Sequence, residues 1–168
     1  LIILNKSDLA DPVWNKKWVE YFSNQGMGVL EINSRTGMGI KSIQGLVQEV
    51  CKEKIERDRK RGIVNRPVRA MVVGIPNVGK STLLNALLRE QRAIVTDVAG
   101  TTRDVLREEL DLFGLPVQLS DTAGLRSAED AVERIGIDRA REELRRADVA
   151  LLVLDSAREL TPEERSLL

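Results

Sequence analysis

The sequence predicts an α/β domain with a mostly parallel sheet covered by helices on both faces. Short apolar runs at Leu1 to Leu4, Val29 to Ile32, Ala70 to Val73 and Val149 to Leu154 have the length and composition of buried parallel strands. Between them lie stretches whose apolar residues recur at helical spacing. One strand-to-helix junction carries Gly74-Ile75-Pro76-Asn77-Val78-Gly79-Lys80-Ser81, which fits the phosphate-loop pattern G-x-x-x-x-G-K-[ST] in the strand, loop, helix context that the pattern needs.

At 168 residues the chain is one domain's worth, enough for a single core with a two-sided sheet. Formal net charge is zero and aromatics make up 3%, so nothing global points to nucleic acid or membrane, and any such partner must be local. The single cysteine, Cys51, excludes an intrachain disulfide and fits a reducing cytosol, so a cytoplasmic setting is expected. Histidine is absent. No apolar run approaches the roughly 20 residues that span a bilayer. The chain opens on Leu1, directly inside a strand, which suggests an excised or engineered piece.

The first strand runs into Asn5-Lys6-Ser7-Asp8, an N-K-x-D pattern. Asp8 can accept two hydrogen bonds from guanine's N1–H and exocyclic amine, Asn5 can hold the loop and reach the base, and the Lys6 stem can cover the ring. Adenine offers no matching donors. Asp11-Pro12 reads as an N-cap followed by Pro at the first helical position. Trp14, Trp18, Tyr21 and Phe22 then recur at helical spacing, with both tryptophans expected against the sheet. Gly26 and Gly28 end that helix before the Val29 strand. The turn Asn33 to Gly37 stands where guanine-nucleotide proteins carry an S-A-K-like loop; Ser34 fits, Arg35 replaces the usual alanine, and an ordinary loop is the other reading. Ile40, Ile43, Leu46, Val47 and Val50 mark a further helix, with Cys51 as a helix-face residue. Lys52 to Arg61 is dense in mixed charge and net basic, continuing through Arg66 and Arg69. It reads as a helix end and a linker, with an RNA-contacting patch as the alternative.

In the phosphate loop, the backbone N–H groups of Val78, Gly79, Lys80, Ser81 and Thr82 are expected to face a polyphosphate. Lys80 would neutralise its β- and γ-phosphates, and Ser81 would ligate Mg²⁺. The polar segment Ala93 to Asp104 falls where a nucleotide switch is expected, with Thr101 and Thr102 as hydroxyl candidates for Mg²⁺. Val105 to Leu112 and Val117 to Leu119 read as strands joined through Phe113-Gly114-Leu115-Pro116. The second delivers Asp121-Thr122-Ala123-Gly124, a D-x-x-G turn in which Asp121 would hold the Mg²⁺ shell and the Gly124 N–H would sense a γ-phosphate. Val132, Ile135, Ala140, Leu144 and Ala147 mark the next helix, and Thr161-Pro162-Glu163-Glu164 opens the last one with a capping box.

Each motif occurs once, but base recognition precedes phosphate binding. In a Ras-like P-loop GTPase the phosphate loop comes first, so this order resembles a circularly permuted Ras-like domain. Its parts are a guanine-recognition half over 1–50, a linker over 51–67 and a phosphate-binding and switch half over 68–168. The segments Leu4 to Pro12, Glu20 to Phe22 and Arg66 to Met71 resemble the permuted ribosome-assembly GTPases of the YlqF (RbgA) type. Ala93 to Leu106, Leu119 to Arg126 and Val132 to Ala140 resemble the G domain of the tRNA-modification GTPase MnmE. The phosphate loop is common to both families, which suggests a chimera joined there. A third reading is the junction of two tandem G domains, as in Der-type GTPases. Both resembled families carry further domains, so the resemblance implies the nucleotide cycle and not either family's biological output.

These resemblances imply binding of GTP and GDP with Mg²⁺, and slow, K⁺-stimulated GTP hydrolysis. The rival is a nucleotide-gated RNA- or ribosome-binding module whose hydrolysis is incidental. Leu125 stands where Ras-like enzymes place their water-orienting glutamine. By resemblance to MnmE, Glu133 orients the attacking water, and Lys80, Thr102 and Gly124 complete the catalytic set. Asn77 would ligate K⁺ with the carbonyls of Thr96 and Val98 and the backbone of Thr101, while Thr102 would sit on Mg²⁺. The same family implies a transient homodimer through the switch face.

Overall fold

A computed structural model describes residues 1–63, 66–92, 107–121 and 142–168 of the protein. The apolar runs form β1 (Ile2–Asn5), β2 (Val29–Glu31), β3 (Val68–Val73) and β6 (Val149–Asp155), with β4 (Arg107–Leu112) and β5 (Leu115–Asp121) completing the sheet. The spatial order is β2-β1-β6-β3-β5-β4, parallel throughout except that β4 runs antiparallel to β5. The helices are α1 (Pro12–Asn24), α2 (Ser42–Val50), α3 (Lys52–Lys60), α4 (Lys80–Arg92), α5, described over 142–146, and α6 (Pro162–Ser166).

Alternation along the strands divides the core into two layers. Ile3, Val68, Ala70, Val72, Leu151 and Val153 join one cluster with Ile43 and Val47 of α2 and Leu83 and Leu87 of α4. Ile2, Leu4, Leu152 and Leu154 face the other way, onto Phe22 and Trp18 of α1. The register puts Ile2 beside Leu152 and Leu4 beside Leu154, so the layers are continuous across the β1–β6 seam. This is the two-sided α/β architecture that the apolar runs predict.

Local signals act as expected at several ends. The Asp11 side chain accepts from the Val13 N–H at 2.8 Å, with Pro12 in the first turn of α1. Thr161 and Glu164 form a complete capping box on α6. Other expectations are corrected. Trp14, in the first turn of α1, is 60% exposed, and Lys17 Nζ covers its ring at 4.2 Å. Trp18 stacks on Phe22 at 5.5 Å between centroids and packs as expected. Val50 and Leu144 are half exposed. The β4–β5 connection is a two-residue turn, Phe113-Gly114, since Leu115 pairs with Leu112. Both turn residues have positive φ, 53° and 92°, as a right-twisted hairpin of this length requires.

The stretch read as a linker is helical over Lys52–Lys60. It docks because Ile55 packs on the main core and Lys54 pairs with Asp148 at 2.7 Å. Asp148, just before β6, also accepts from the Arg69 backbone N–H at 2.9 Å and from the Arg69 guanidinium at 3.2 and 3.3 Å. One carboxylate thus ties α3 and β3 to the start of β6. Burial pushes the Asp148 carboxyl up, but hydrogen bonds from Arg69 and Lys54 together outweigh it and hold the pKa at about 2, below its ordinary 3.8.

A folded-state pKa below the unfolded one means that Asp148 stabilises the fold fully above about pH 4 and ceases to as pH falls towards 2. Asp148→Asn is therefore expected to cost about 1–2 kcal/mol at pH 7, after allowance for solvent screening. Urea unfolding at pH 7 and at pH 2.5 should show that the variant's deficit shrinks at the lower pH.

Candidate functional site

In an open parallel sheet, ligands bind in the crevice outside the carboxyl ends of the strands. That edge gathers Asn5 from β1, Asp155 from β6, Gly74 after β3 and Asp121 at the end of β5, with Asn33 and Ser34 following β2. The sequence motifs are therefore brought to one rim although they lie far apart in the chain.

Asn5 sits at the centre and is 1% exposed. Its Nδ2 donates to the Val78 carbonyl of the phosphate loop at 2.8 Å. Its Oδ1 accepts from the Ser34 backbone N–H at 3.1 Å. One amide side chain thus joins the N-K-x-D loop, the phosphate loop and the loop after β2. The Asn5 carbonyl in turn accepts from the Ser156 N–H at 3.0 Å and the Ser156 hydroxyl at 2.6 Å. Lys6 has φ of +59°, the left-handed region, and its Nζ donates to the Asn77 carbonyl at 3.0 Å and to Asp155 Oδ2 at 2.5 Å. Ser7 N–H bonds back to Ile32 O at 3.1 Å, and Asp8 beyond it is exposed, with its carboxylate open to solvent.

The phosphate loop has the shape its glycines permit. A Cβ on Gly79 would stand 2.3 Å from Asn5 Nδ2, and one on Gly74 would stand 2.7 Å from the Val153 carbonyl. Both positions need glycine for close approach, and Gly79 has φ of +92° besides. Val78 and Lys80 are buried, whereas Asn77, Ser81 and Thr82 are exposed. α4 starts here, with the Leu83 N–H donating to the Gly79 carbonyl at 2.9 Å. Val78 and Gly79 thus lead into the first turn of a 13-residue helix that Lys80 opens, and the N-terminal end of a helix favours an anion. A phosphate chain fits this cradle. Among the described residues no group of three or more acidic or cysteine side chains could hold a metal ion.

The loop after β2 departs from its expectation. Asn33 Oδ1 accepts from the Arg35 N–H at 3.0 Å and the Thr36 N–H at 3.1 Å, while the Ser34 N–H goes to Asn5. Those three donors are engaged within the protein, in an Asx-turn that Asn33 itself builds. Of the remaining candidates, the Asp121 backbone ends β5, while Thr96, Val98, Thr101, Thr102, Gly124 and Glu133 lie outside the described residues. Asp155 and Ser156 were missed in the sequence. Polar residues directly after the Val149 to Leu154 run, at the carboxyl end of a central strand, were the available signal.

Removal of the Asn5 amide leaves the Val78 carbonyl and the Ser34 N–H buried without a partner. Asn5→Ala is expected to destabilise the fold by about 2–4 kcal/mol, measured as a lowered urea midpoint without nucleotide.

A family model described as 50S ribosome-binding GTPase matches residues 69–168, more than half of the chain. The tRNA modification GTPase MnmE of Heliobacterium modesticaldum is 51% identical over 122 residues, which is 73% of this chain and 26% of that protein. MnmE of Streptococcus pyogenes serotype M5 is 50% identical over 117 residues, 69% of this chain and again 26% of the relative. The chain thus spans about a quarter of the length of these relatives.

Proposed function

The chain belongs to the 50S ribosome-binding GTPase family, and on that premise we propose that residues 1–168 form one circularly permuted G domain with a slow, Mg²⁺-dependent and K⁺-stimulated GTP turnover. The observation that carries the reading is the Asn5 bridge. It fixes the base-reading loop to the phosphate loop through the 2.8 Å bond to Val78, so one guanine nucleotide can span both. The permuted order is supported by β1 pairing in parallel with β6, which sets the Asn5 loop beside a phosphate loop that follows it in sequence. The family match beginning at residue 69 agrees with a phosphate-binding half over 68–168. In the same reading, the segment from Leu1 through the phosphate loop is YlqF-like and the part from about Ala86 onward MnmE-like, as an engineered chimera or a natural permuted GTPase.

Asp8 accepts the guanine N1–H and amine, and the Lys6 stem covers the ring. Ser34 holds Asn5 in place, and the backbone of Val78 to Thr82 cradles the phosphates, with Lys80 countering their charge. Ser81, Thr102 and Asp121 would hold Mg²⁺, which when bound offsets the charge of the phosphates. Asn77 is exposed and its side chain has no hydrogen bond among the described residues, which fits a ligand for K⁺ shared with Thr96, Val98 and Thr101. Glu133 orients the attacking water and Gly124 senses the γ-phosphate. Two copies meet transiently through the switch face. No described helix is long and apolar enough to cross a membrane, and the reading places the protein in the cytoplasm. A second reading, contact with RNA or a ribosome, draws on α3 and its cap, where Lys52, Arg57, Arg59, Lys60 and Arg61 are exposed.

GTP turnover in KCl and NaCl at matched ionic strength tests the proposal. K⁺ should accelerate it, with a rate that grows faster than linearly with protein concentration. Equal rates in the two salts would refute the cation site. Glu133→Ala should lower kcat by about 100-fold while GDP affinity stays within about twofold, whereas Asp8→Ala should weaken GDP by about 100-fold.

A further inference from the structure

We infer that Asp155 is a positioning residue for guanine-nucleotide binding, acting through Lys6 to hold the phosphate loop and the base-reading loop in one fixed arrangement. The inference rests on the proposed nucleotide site and adds to it a residue on a different strand.

Lys6 is the first residue beyond β1 and is held in a left-handed backbone conformation, φ +59°, that a side chain disfavours. Such a residue persists where contacts over-determine it. Two contacts do so. Lys6 Nζ reaches across to the Asn77 carbonyl at 3.0 Å and to Asp155 Oδ2 at 2.5 Å. The ammonium is therefore a strut between the phosphate loop and the end of the central strand. Asp155 is placed for this by register, since it pairs with Asn5, the residue before Lys6. Its side chain is 10% exposed against 34% for that of Lys6, so the carboxylate is the anchored partner and the lysine the held one.

The other groups around the carboxylate point the same way. Asp155 Oδ1 accepts from the Ala157 N–H at 3.1 Å, which fixes its rotamer. Arg158 Nε stands 3.8 Å from Oδ2 and its guanidinium is forked on Glu164, at 2.7 and 2.9 Å. Two cations thus share one carboxylate, and Arg158 has a second anion to keep it in place. Neutralising Asp155 removes the counter-charge of Lys6, whereas Arg158 keeps Glu164, so Lys6 is the cation that loses its anchor. It would carry with it the ring-covering stem and the hold on Asn77. The base-reading residues and the phosphate loop would then no longer be aligned before the ligand arrives, and affinity falls with the lost preorganisation.

Asp155→Asn keeps the shape and an oxygen for the Ala157 N–H, and GDP dissociation constants by fluorescence titration decide the matter in a cycle with Lys6→Met. Asp155→Asn should raise the GDP Kd about tenfold in the wild-type background, as expected for loss of a charge-assisted hydrogen bond. In the Lys6→Met background it should change the Kd by less than about twofold, because its route of action is already gone. An equal loss in both backgrounds, or none in the wild type, overturns the inference. A wild-type chain that does not bind GDP overturns the nucleotide site itself instead. Should Asp155→Asn fail to fold, Asp155→Ser retains an oxygen near the Ala157 N–H and is read by the same two outcomes.

Discussion

One buried amide holds three loops together. Asn5 has a donor pair and an acceptor, and it turns them in opposite directions, towards Val78 O and Ser34 N. No hydroxyl or carboxylate could meet both demands at neutral pH, since a carboxylate lacks the donor and a hydroxyl is too short to span the gap. The glycine at position 79 exists for the same contact: its missing side chain is the space that Asn5 Nδ2 occupies. The three loops are consequently joined by hydrogen bonds within the protein itself. In a binding site, cross-linking of this kind converts contact energy into affinity with less lost to ordering.

Charge is distributed at both ends of β6 according to one logic. At its start, Asp148 gathers Lys54 and Arg69. At its end, Asp155 gathers Lys6 and lies near Arg158. Both carboxylates are partly desolvated, and each is stabilised by more than one donor, the condition under which a buried charge contributes instead of costing. The central strand is thereby fastened to its neighbours by ionic contacts outside the hydrogen-bond ladder. The lower fastening is structural, and the upper one meets the candidate site.

Much of this was legible in the residues. Continuous apolar runs marked the strands because both faces are buried: Ile2 and Leu4 face one layer while Ile3 faces the other. The glycine pattern marked the phosphate loop because only glycine accommodates those approaches. What escaped was set by tertiary neighbours. Trp14 and Trp18 read alike in a helical stripe, yet a single turn of α1 separates the stacked ring from the exposed one. The charged stretch after Cys51 read as linker because its net character is polar, but Ile55 and Lys54 find partners on the sheet that no local pattern reveals. Asp155 carries no motif of its own, and its meaning comes from register with Asn5. The Asx-turn at Asn33 was hidden likewise, since a backbone donor's partner depends on loop conformation and not on residue type.

The position of β6 bears on how the chain is made. Among the described strands it comes last in the sequence, yet it lies between β1 and β3, which it joins. Until Val149 to Asp155 emerges from the ribosome, the nascent chain holds two partial sheets, each ending in an unpaired parallel edge. The Asn5 and Asn33 loops and the phosphate loop ride on different halves and have no shared scaffold during that interval. Completion of the sheet and completion of the binding rim are therefore the same event. A nascent chain of this topology depends on protection of two open edges until β6 emerges, a demand that sequential pairing of neighbouring strands would avoid.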